Sequence, residues 1–345
     1  MHPHLTHPTS APALVMAGYQ GEASILTAGL RALAQGLQAA GWEGALDLVP
    51  DVTQSGERAA SLFASIEQGS RHVGYMASGY LSARVPELDV LDLPFTVDDR
   101  QNALKALDGE AGQLLKMAVE RATGLRVLAF WDNGFRHVSN ALRPLRTPAD
   151  CKGLVIRTLD SAAYREALAA LGFQPVTTDV KDLVHAVQTG AVQAQENPLT
   201  NLISFALWPH HPHVSLTGHF FGVLLLVCPR AWHEGLSPTQ RERLGQAVAQ
   251  ATGTQRALAE RQDTEALAAL QSHGVQVLPA QALDMTAFRA ATQGQALRLC
   301  DRLPPALVQA YLPQALRQAL AAQHAPQEPG AATTAAAAAA CSTLH

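Results

Sequence analysis

The chain reads as an α/β protein of two lobes, each built on a mainly parallel sheet flanked by helices. Three observations predict this. Segments of strand length alternate with longer segments of helical period across residues 13–94, the same alternation returns across 147–198, and the connections are short and closed by glycines. Strands joined through a helix by short connections lie parallel, with right-handed crossovers, so each run predicts a parallel sheet of its own.

The elements follow in order. Ala13–Gly18 is an apolar run ending in a glycine, which suits a buried strand. Glu22–Ala40 carries Leu26, Leu30, Leu33 and Leu37 on one helical face, with Gly41 placed to stop it. Ala45–Val49 alternates as a strand. Ser55-Gly56 opens a helix with Leu62, Phe63 and Ile66 on one side and Gly69 at its end. His72–Met76 and Val90–Pro94 read as two further strands, and Leu125–Trp131 as another. Thr147-Pro148-Ala149-Asp150 is a capping box, followed by a strand at Gly153–Thr158 and a helix at Ser161–Leu171 closed by Gly172. Pro175–Thr177 is a strand, Asp179 caps the helix Val180–Thr189, and Gly190 ends it. Val192–Glu196 is a strand, and Asn197-Pro198 starts a helix with an N-cap residue and a proline at its first position.

Phe220–Pro229 is apolar throughout but far shorter than the ~20 residues of a membrane-spanning helix, so it reads as a buried strand. Ser237-Pro238-Thr239-Gln240 is a second capping box, with no proline or tight turn before Gly274. That span of about 36 residues would be ~54 Å long as one helix, enough to brace both lobes along one side. Two shorter helices broken at Gly253 are the competing reading. Beyond His324 the sequence turns to proline, alanine and threonine, with alanines at 335–340, and it reads as a disordered tail, as does 1–12.

Composition narrows the function. Of 345 residues, 48% are hydrophobic and 16% charged, which supports real cores and about two domains. The net charge is −4 and no Lys/Arg-rich block occurs, which argues against a nucleic-acid backbone binder. Met1–Pro12 holds His2, His4 and His7 but no lysine or arginine and no apolar core of a secretory signal. Cys151, Cys228, Cys300 and Cys341 are too widely spaced for a zinc site; a Cys300–Cys341 bridge is the one disulfide left open. No serine-nucleophile elbow, zinc-protease helix, phosphate loop or dinucleotide fingerprint is present, so no enzyme and no cofactor is expected. His210, His211 and His213, interleaved with Pro209 and Pro212, read as a loop and not a metal site, because no acidic residue accompanies them.

Binding is better supported. Arg157 ends the strand Gly153–Thr158, and the carboxyl ends of parallel strands face the crevice where open α/β sheets bind ligands. A guanidinium there matches a carboxylate with a planar fork of donors; pairing with Asp160 at the surface is the competing reading. Arg136 follows the strand Leu125–Trp131, either as a second ligand contact or as a solvated loop charge. Asn197, as an N-cap at a helix start facing a crevice, can serve cap and anion together. Tyr19 and Tyr80 follow first-lobe strands, and Phe221 opens an apolar strand; all three are candidates to line the rest of a cleft, with core packing the competing role for Phe221.

These residues resemble the DctP-type solute-binding proteins of tripartite ATP-independent periplasmic (TRAP) transporters. The matching segments are Val85-Pro86-Glu87 to Leu93-Pro94-Phe95, Asn133-Gly134-Phe135-Arg136, Asp150–Arg157, Gln188-Thr189-Gly190, Gln195-Glu196-Asn197-Pro198 and Thr217-Gly218-His219, in order and register within roughly 13–280. The chain departs at Gln193, where the family usually has aspartate, and at Val155, where lysine is common. The resemblance implies a periplasmic-binding-protein-like fold with a long helix spanning both lobes, closing on a small organic acid. It assigns the ligand carboxylate to Arg157 and further polar contacts to Arg136 and Asn197. It also implies a periplasmic location and delivery to the small and large membrane permease subunits; a sensor handing its closed form to a signalling partner is the alternative. The expected lobes are 13–134 with about 223–262, and 135–222 with about 263–322.

Overall fold

The structure, a computed structural model, describes residues 13–314 and 316–318. The two expected tails and Cys341 therefore lie outside the described residues. The first half runs β1 (Leu14–Ala17), α1 (Ile25–Ala39), β2 (Leu46–Val49), α2 (Leu62–Glu67), β3 (Val73–Ala77), α3 (Arg100–Asp108), α4 (Glu110–Ala122) and β4 (Leu125–Asn140). Next come α5 (Pro148–Cys151), β5 (Val155–Thr158), α6 (Ala162–Ala170), β6 (Gln174–Thr177), α7 (Val180–Gln188), β7 (Ala194–Asn197), α8 (Leu199–Ser204) and β8 (His213–Pro229). The chain continues through α9 (Arg230–Gly235), α10 (Pro238–Ser272), β9 (Gln276–Leu278), α11 (Met285–Cys300) and α12 (Pro305–Tyr311).

Within each lobe the expected parallel pairing is present: β1 with β2 and β3, and β5 with β6 and β7. What the local pattern did not show is how the two sets join. β4 and β8 pair antiparallel along most of their length, β8 continuing to β3 and β4 to β7, so the strand order is β2-β1-β3-β8-β4-β7-β5-β6. Two long strands thus run through both lobes. Register shifts in β4 between Val127/Ala129, Asp132/Gly134 and Arg136/Val138 break the alternation of side chains along it. That explains why only Leu125–Trp131 reads as strand, and it corrects the placing of Arg136 at a strand end: it lies inside β4.

Two other expectations are corrected. Residues Pro86–Asp92 form a 3₁₀ helix, not a strand at Val90–Pro94; Pro86 at its first position and Glu87 and Asp89 in its first turn suit a helix start. Asn197 is not an N-cap. It is the last residue of β7, and Pro198 takes the cap position of α8, with no side-chain cap bond. Both predicted capping boxes are made, at Thr147/Asp150 and Ser237/Gln240.

Helix α10 is unbroken for 35 residues, about 52 Å at 1.5 Å per residue, and passes through Gly253 without interruption. It lies against α1, where the approach is so close that a methyl group on Gly36 would stand 3.1 Å from Ala247 Cβ. Further along it reaches β4 through Gln255, which is fully buried and holds the Asp132 backbone at both its N–H (3.0 Å) and its carbonyl (2.6 Å). The main core surrounds β1, β3, α1 and the apolar half of β8; a second gathers Leu154, Ile156, Leu168 and Phe173 with Phe288 of α11. No helix among the described residues is long and apolar enough to cross a membrane.

Candidate ligand-binding site

The ends of strands from both lobes meet around a small polar gap. Tyr19 and Gln20 follow β1, Tyr80 closes the turn after β3, Asn133 and Arg136 come from β4, Arg157 from β5 and Asn197 from β7. Val180 and Asn201 reach it from the first turns of α7 and α8. The gap measures about 20 Å³, room for about one water molecule, so the lobes stand close together.

Arg157 is 2% exposed. Its Nε and one terminal nitrogen donate to the Thr178 carbonyl at 2.8 and 2.6 Å, which fixes one edge of the guanidinium. Among the described residues no carboxylate pairs with it; Asp160, the acid that the sequence offered, bonds to Arg165 at 2.8 Å instead. A buried guanidinium held on a backbone carbonyl keeps its charge unmatched and faces the gap.

Arg136 is different. It is 3% exposed and its fork grips the fully buried Glu196: Nε contacts Oε2, and one terminal nitrogen donates to Oε1 (3.0 Å) and to the Glu196 carbonyl (2.8 Å). The Thr158 hydroxyl donates to the same carboxylate at 2.9 Å, and His219 Nε2 lies 3.7 Å away. Burial alone would raise the Glu196 pKa, but the charge of Arg136 and its hydrogen bonds outweigh it and hold the carboxyl well below its usual range. Arg136 therefore lines the gap as half of a neutralised pair and not as a free cation.

Asn197 sits between these groups. Its Oδ1 accepts from Arg136 (3.1 Å) and from Asn201 Nδ2 (3.1 Å), and its Nδ2 donates to Gln195 Oε1 at 2.6 Å. Tyr19 and Tyr80 meet edge to face at 6.3 Å, and burial pushes both phenols up, so they remain protonated donors. Phe221 does not border the gap: it packs on Phe135 at 5.2 Å within the main core. Its neighbour Phe220 packs with its ring tilted against Tyr164, centroids 4.1 Å apart, and the Tyr164 ring lies 5.5 Å from the Arg136 guanidinium. The structure thus brings together five of the six residues picked from sequence and leaves Phe221 in the core.

Gln20, Asn133, Asn201 and Glu196 were missed. Asn133 and Glu196 lie within segments that carry the family resemblance, and only the position of Arg136 shows why an acid is needed at Glu196. The histidines take structural partners: His211 meets Ser139 Oγ at 3.0 Å and His213 meets Gln276 at 3.0 Å. Among the described residues no group of three or more His, Cys, Asp or Glu is arranged to hold a metal ion. Burial pushes the Cys151 and Cys228 thiols up to about 12, which suits inert core positions.

Two α/β lobes, tied by crossing strands and a bracing helix around a polar gap with one unmatched guanidinium, define a two-lobed solute-binding protein. The chain belongs to the bacterial extracellular solute-binding proteins of family 7, DctP, whose family model matches residues 44–299. It is 32% identical over 250 residues to the 2,3-diketo-L-gulonate-binding periplasmic protein YiaO of Escherichia coli, covering 72% of this chain and 75% of that one. Among solved structures, a TRAP periplasmic solute-binding protein from Ralstonia eutropha H16, with bound (S)-2-acetolactate, is similar with TM-score 0.80 and 28% identity, over 90% of this chain and 99% of that one. Another from Polaromonas sp. JS666, bound to D-erythronate, has TM-score 0.82 and 25% identity, over 87% of this chain and 98% of that one.

Proposed function

We propose that the protein captures a small organic acid between its lobes, outside the cytoplasmic membrane, and delivers it to the membrane subunits of a TRAP transporter without chemical change. The observation that carries this is the buried, acid-free guanidinium of Arg157 facing the gap. A planar fork with one edge fixed presents its remaining donors to a carboxylate in a set direction. Arg136 and Asn197 form the wall beside it, and the two tyrosines supply hydroxyl donors opposite. The similar proteins named above are binding proteins, several with acids as their named ligands, which favours delivery over sensing.

Entry and exit need the lobes to part, because the gap is smaller than a four-carbon acid. The proposed lobes are 13–134 with about 223–262 and 135–222 with about 263–322. Their boundary passes between Gly134 and Gly222, which pair with each other across β4 and β8, and beside Asp263 of α10, whose carboxylate stands 3.1 Å from where a Cβ on Gly134 would be. Paired glycines in the two crossing strands support a hinge there, and a ligand touched by both lobes shifts the population toward closed.

Isothermal titration with small carboxylates, comparing the parent with Arg157→Lys, tests the reading. A point charge cannot replace the fork, so affinity should fall about 10- to 100-fold, the worth of one charge-assisted hydrogen bond. Equal affinities for parent and variant would refute the role of Arg157.

A further inference from the structure

Resting on the reading that the two proposed lobes part and close, we propose that closure takes up a proton at Asp92, so that acid favours the closed form and capture of the ligand weakens as pH rises. The carboxyl lies outside the gap, in the 3₁₀ helix Pro86–Asp92 of the first proposed lobe. It is 2% exposed and held by one long bond, from the Ser78 hydroxyl to Oδ1 at 3.4 Å. Its buried Oδ2 has no hydrogen-bond partner, and among the described residues no cation forms an ion pair with it. A carboxylate in such a place has lost its hydration without gaining a counter-charge or a full set of donors, whereas the neutral acid forfeits far less. The closed form therefore holds Asp92 protonated.

Part of the cover over Asp92 comes from the second proposed lobe. A Cβ on Gly79 would stand 3.0 Å from Asp92 Oδ2, 2.8 Å from Leu159 Cδ1 and 3.2 Å from Ser161 Cβ, so the carboxyl oxygen and these two side chains, which follow β5, crowd one point. Burial, and with it the Asp92 charge, raises the phenols of Tyr164 in α6 and Tyr311 in α12, so both stay protonated beside it. The remaining charges supply no counter-ion. Arg136 and Glu196 act on Asp92 with opposite signs, as a matched pair. Asp89, one turn earlier on the same helix, is pushed up to about 6 by its own burial, aided by Glu166 and opposed by Ser82 and Arg302. Glu87 is taken by Arg121. Burial and the Asp89 charge together push the Asp92 carboxyl well above the carboxylate range. When the lobes part, Leu159, Ser161 and Tyr164 leave with the second lobe, water reaches the carboxyl and the proton is released. A group neutral when closed and ionised when open lowers the closed-to-open ratio by up to about tenfold per pH unit between its two pKa values.

Two readouts on the purified protein test the proposal. X-ray scattering from pH 5 to pH 8 follows the free protein: the radius of gyration of the parent should grow with pH, while Asp92→Asn, neutral throughout, stays at the acid-end value. Calorimetric titration with lactate, succinate and gluconate, in buffers of unlike ionisation enthalpy, counts protons. Binding by the parent should take up as much as about one proton, with affinity falling by up to about tenfold per pH unit, and Asp92→Asn should show neither. Asp89→Asn should keep the coupling but move it to lower pH, because a charge that opposes ionisation of Asp92 is gone. Parent and Asp92→Asn that agree in size at every pH, and in proton count wherever an acid binds, overturn the proposal; if none of the three acids binds, scattering alone decides. A parent that neither changes size nor takes up a proton overturns it even where Asp92→Asn fails to fold. Coupling abolished by Asp89→Asn and kept by Asp92→Asn overturns the role of Asp92. An acid that binds without altering the scattering at any pH overturns lobe closure itself, and this inference with it.

Discussion

At the scale of single residues, the two arginines picked from sequence have opposite characters. Arg157 has a backbone carbonyl where an acid was the alternative; Arg136 has Glu196. Nothing local distinguishes them, because each lies on or after a strand in an apolar stretch and the deciding partner is 60 residues away for Arg136. The difference sets what each substitution does. Removing one member of a buried ion pair leaves the other uncompensated, so Glu196→Gln should cost about 3–5 kcal/mol at neutral pH. The pair also has an acid signature. With its folded-state pKa lowered from 4.5 to about 2, Glu196 contributes stability that is complete above the unfolded value and is lost as pH falls through that window. Urea melts at a series of pH values should show this loss in the parent and its absence in Glu196→Gln. A variant as stable as the parent at neutral pH, with the same acid slope, would remove the pair from any structural role. Asn197 teaches a related lesson: Asn-Pro before a helix is a sound capping signal, but here the strand claims the asparagine and Arg136 and Asn201 claim its side chain.

At the scale of elements, the parts held together locally were legible and those held together remotely were not. Capping boxes, helix faces and parallel strand pairs rest on contacts within a few tens of residues, and most appear where the spacing put them. The full length of β4 and its bulges depends on β8, some ninety residues later, and so escaped. The same holds for the contact between α7 and the first lobe. Asp179 caps α7 at the Lys181 N–H (3.1 Å), as its position predicts, but it also accepts from the Ala59 and Ala60 N–H groups at the start of the turn leading into α2. One carboxylate therefore caps a helix in one of the proposed lobes and clasps the other. Hydrogen bonds to a charged group contribute about 1.5–3 kcal/mol, so loss of the clasp should favour the open form. Apparent affinity falls with the fraction of competent, closed protein. Asp179→Ala is expected to weaken ligand binding about tenfold and to enlarge the radius of gyration of the free protein in X-ray scattering. Asp179→Asn, which keeps an acceptor oxygen for the cap, should show a smaller effect on thermal stability than the alanine variant. Unchanged scattering and unchanged affinity in both variants would show that the clasp does not govern closure.

For the whole molecule, the region proposed above as the hinge concentrates charge in a way that should make stability depend on pH with a sign opposite to that of Glu196. Asp132 of β4, Asp263 of α10 and Arg100 of α3 converge beside Gly134, with Asp132 fully buried and 3.1 Å from Arg100. Two carboxylates share one guanidinium there. Burial raises the Asp132 pKa from 3.8 to about 6, opposed by Arg100 and the Gly134 N–H and aided by Asp263. Between those values the folded state binds a proton that the unfolded state has released. Stability therefore falls as pH rises through the window, and the full penalty is present above it. The interval corresponds to an upper figure of ~3 kcal/mol at 1.36 kcal/mol per pH unit. Asp132→Asn removes the ionisation and retains an oxygen for the Gly134 N–H, which the carboxylate now meets at 2.7 Å. The variant also gives up its attraction to Arg100, which keeps Asp263, so a net gain of roughly 1–2 kcal/mol above pH 6 is expected. Thermal melts from pH 4 to 8 should converge for parent and variant at the acid end and separate at the alkaline end, with the variant melting higher. Because the cluster sits where both crossing strands and the bracing helix pass between the lobes, the test can be paired with ligand titrations at the same pH values. A gain in stability with unaltered affinity makes the cluster a cost of the fold alone. A gain accompanied by weaker binding means that Asp132 holds the bulge, and with it Asn133, in the geometry the ligand requires.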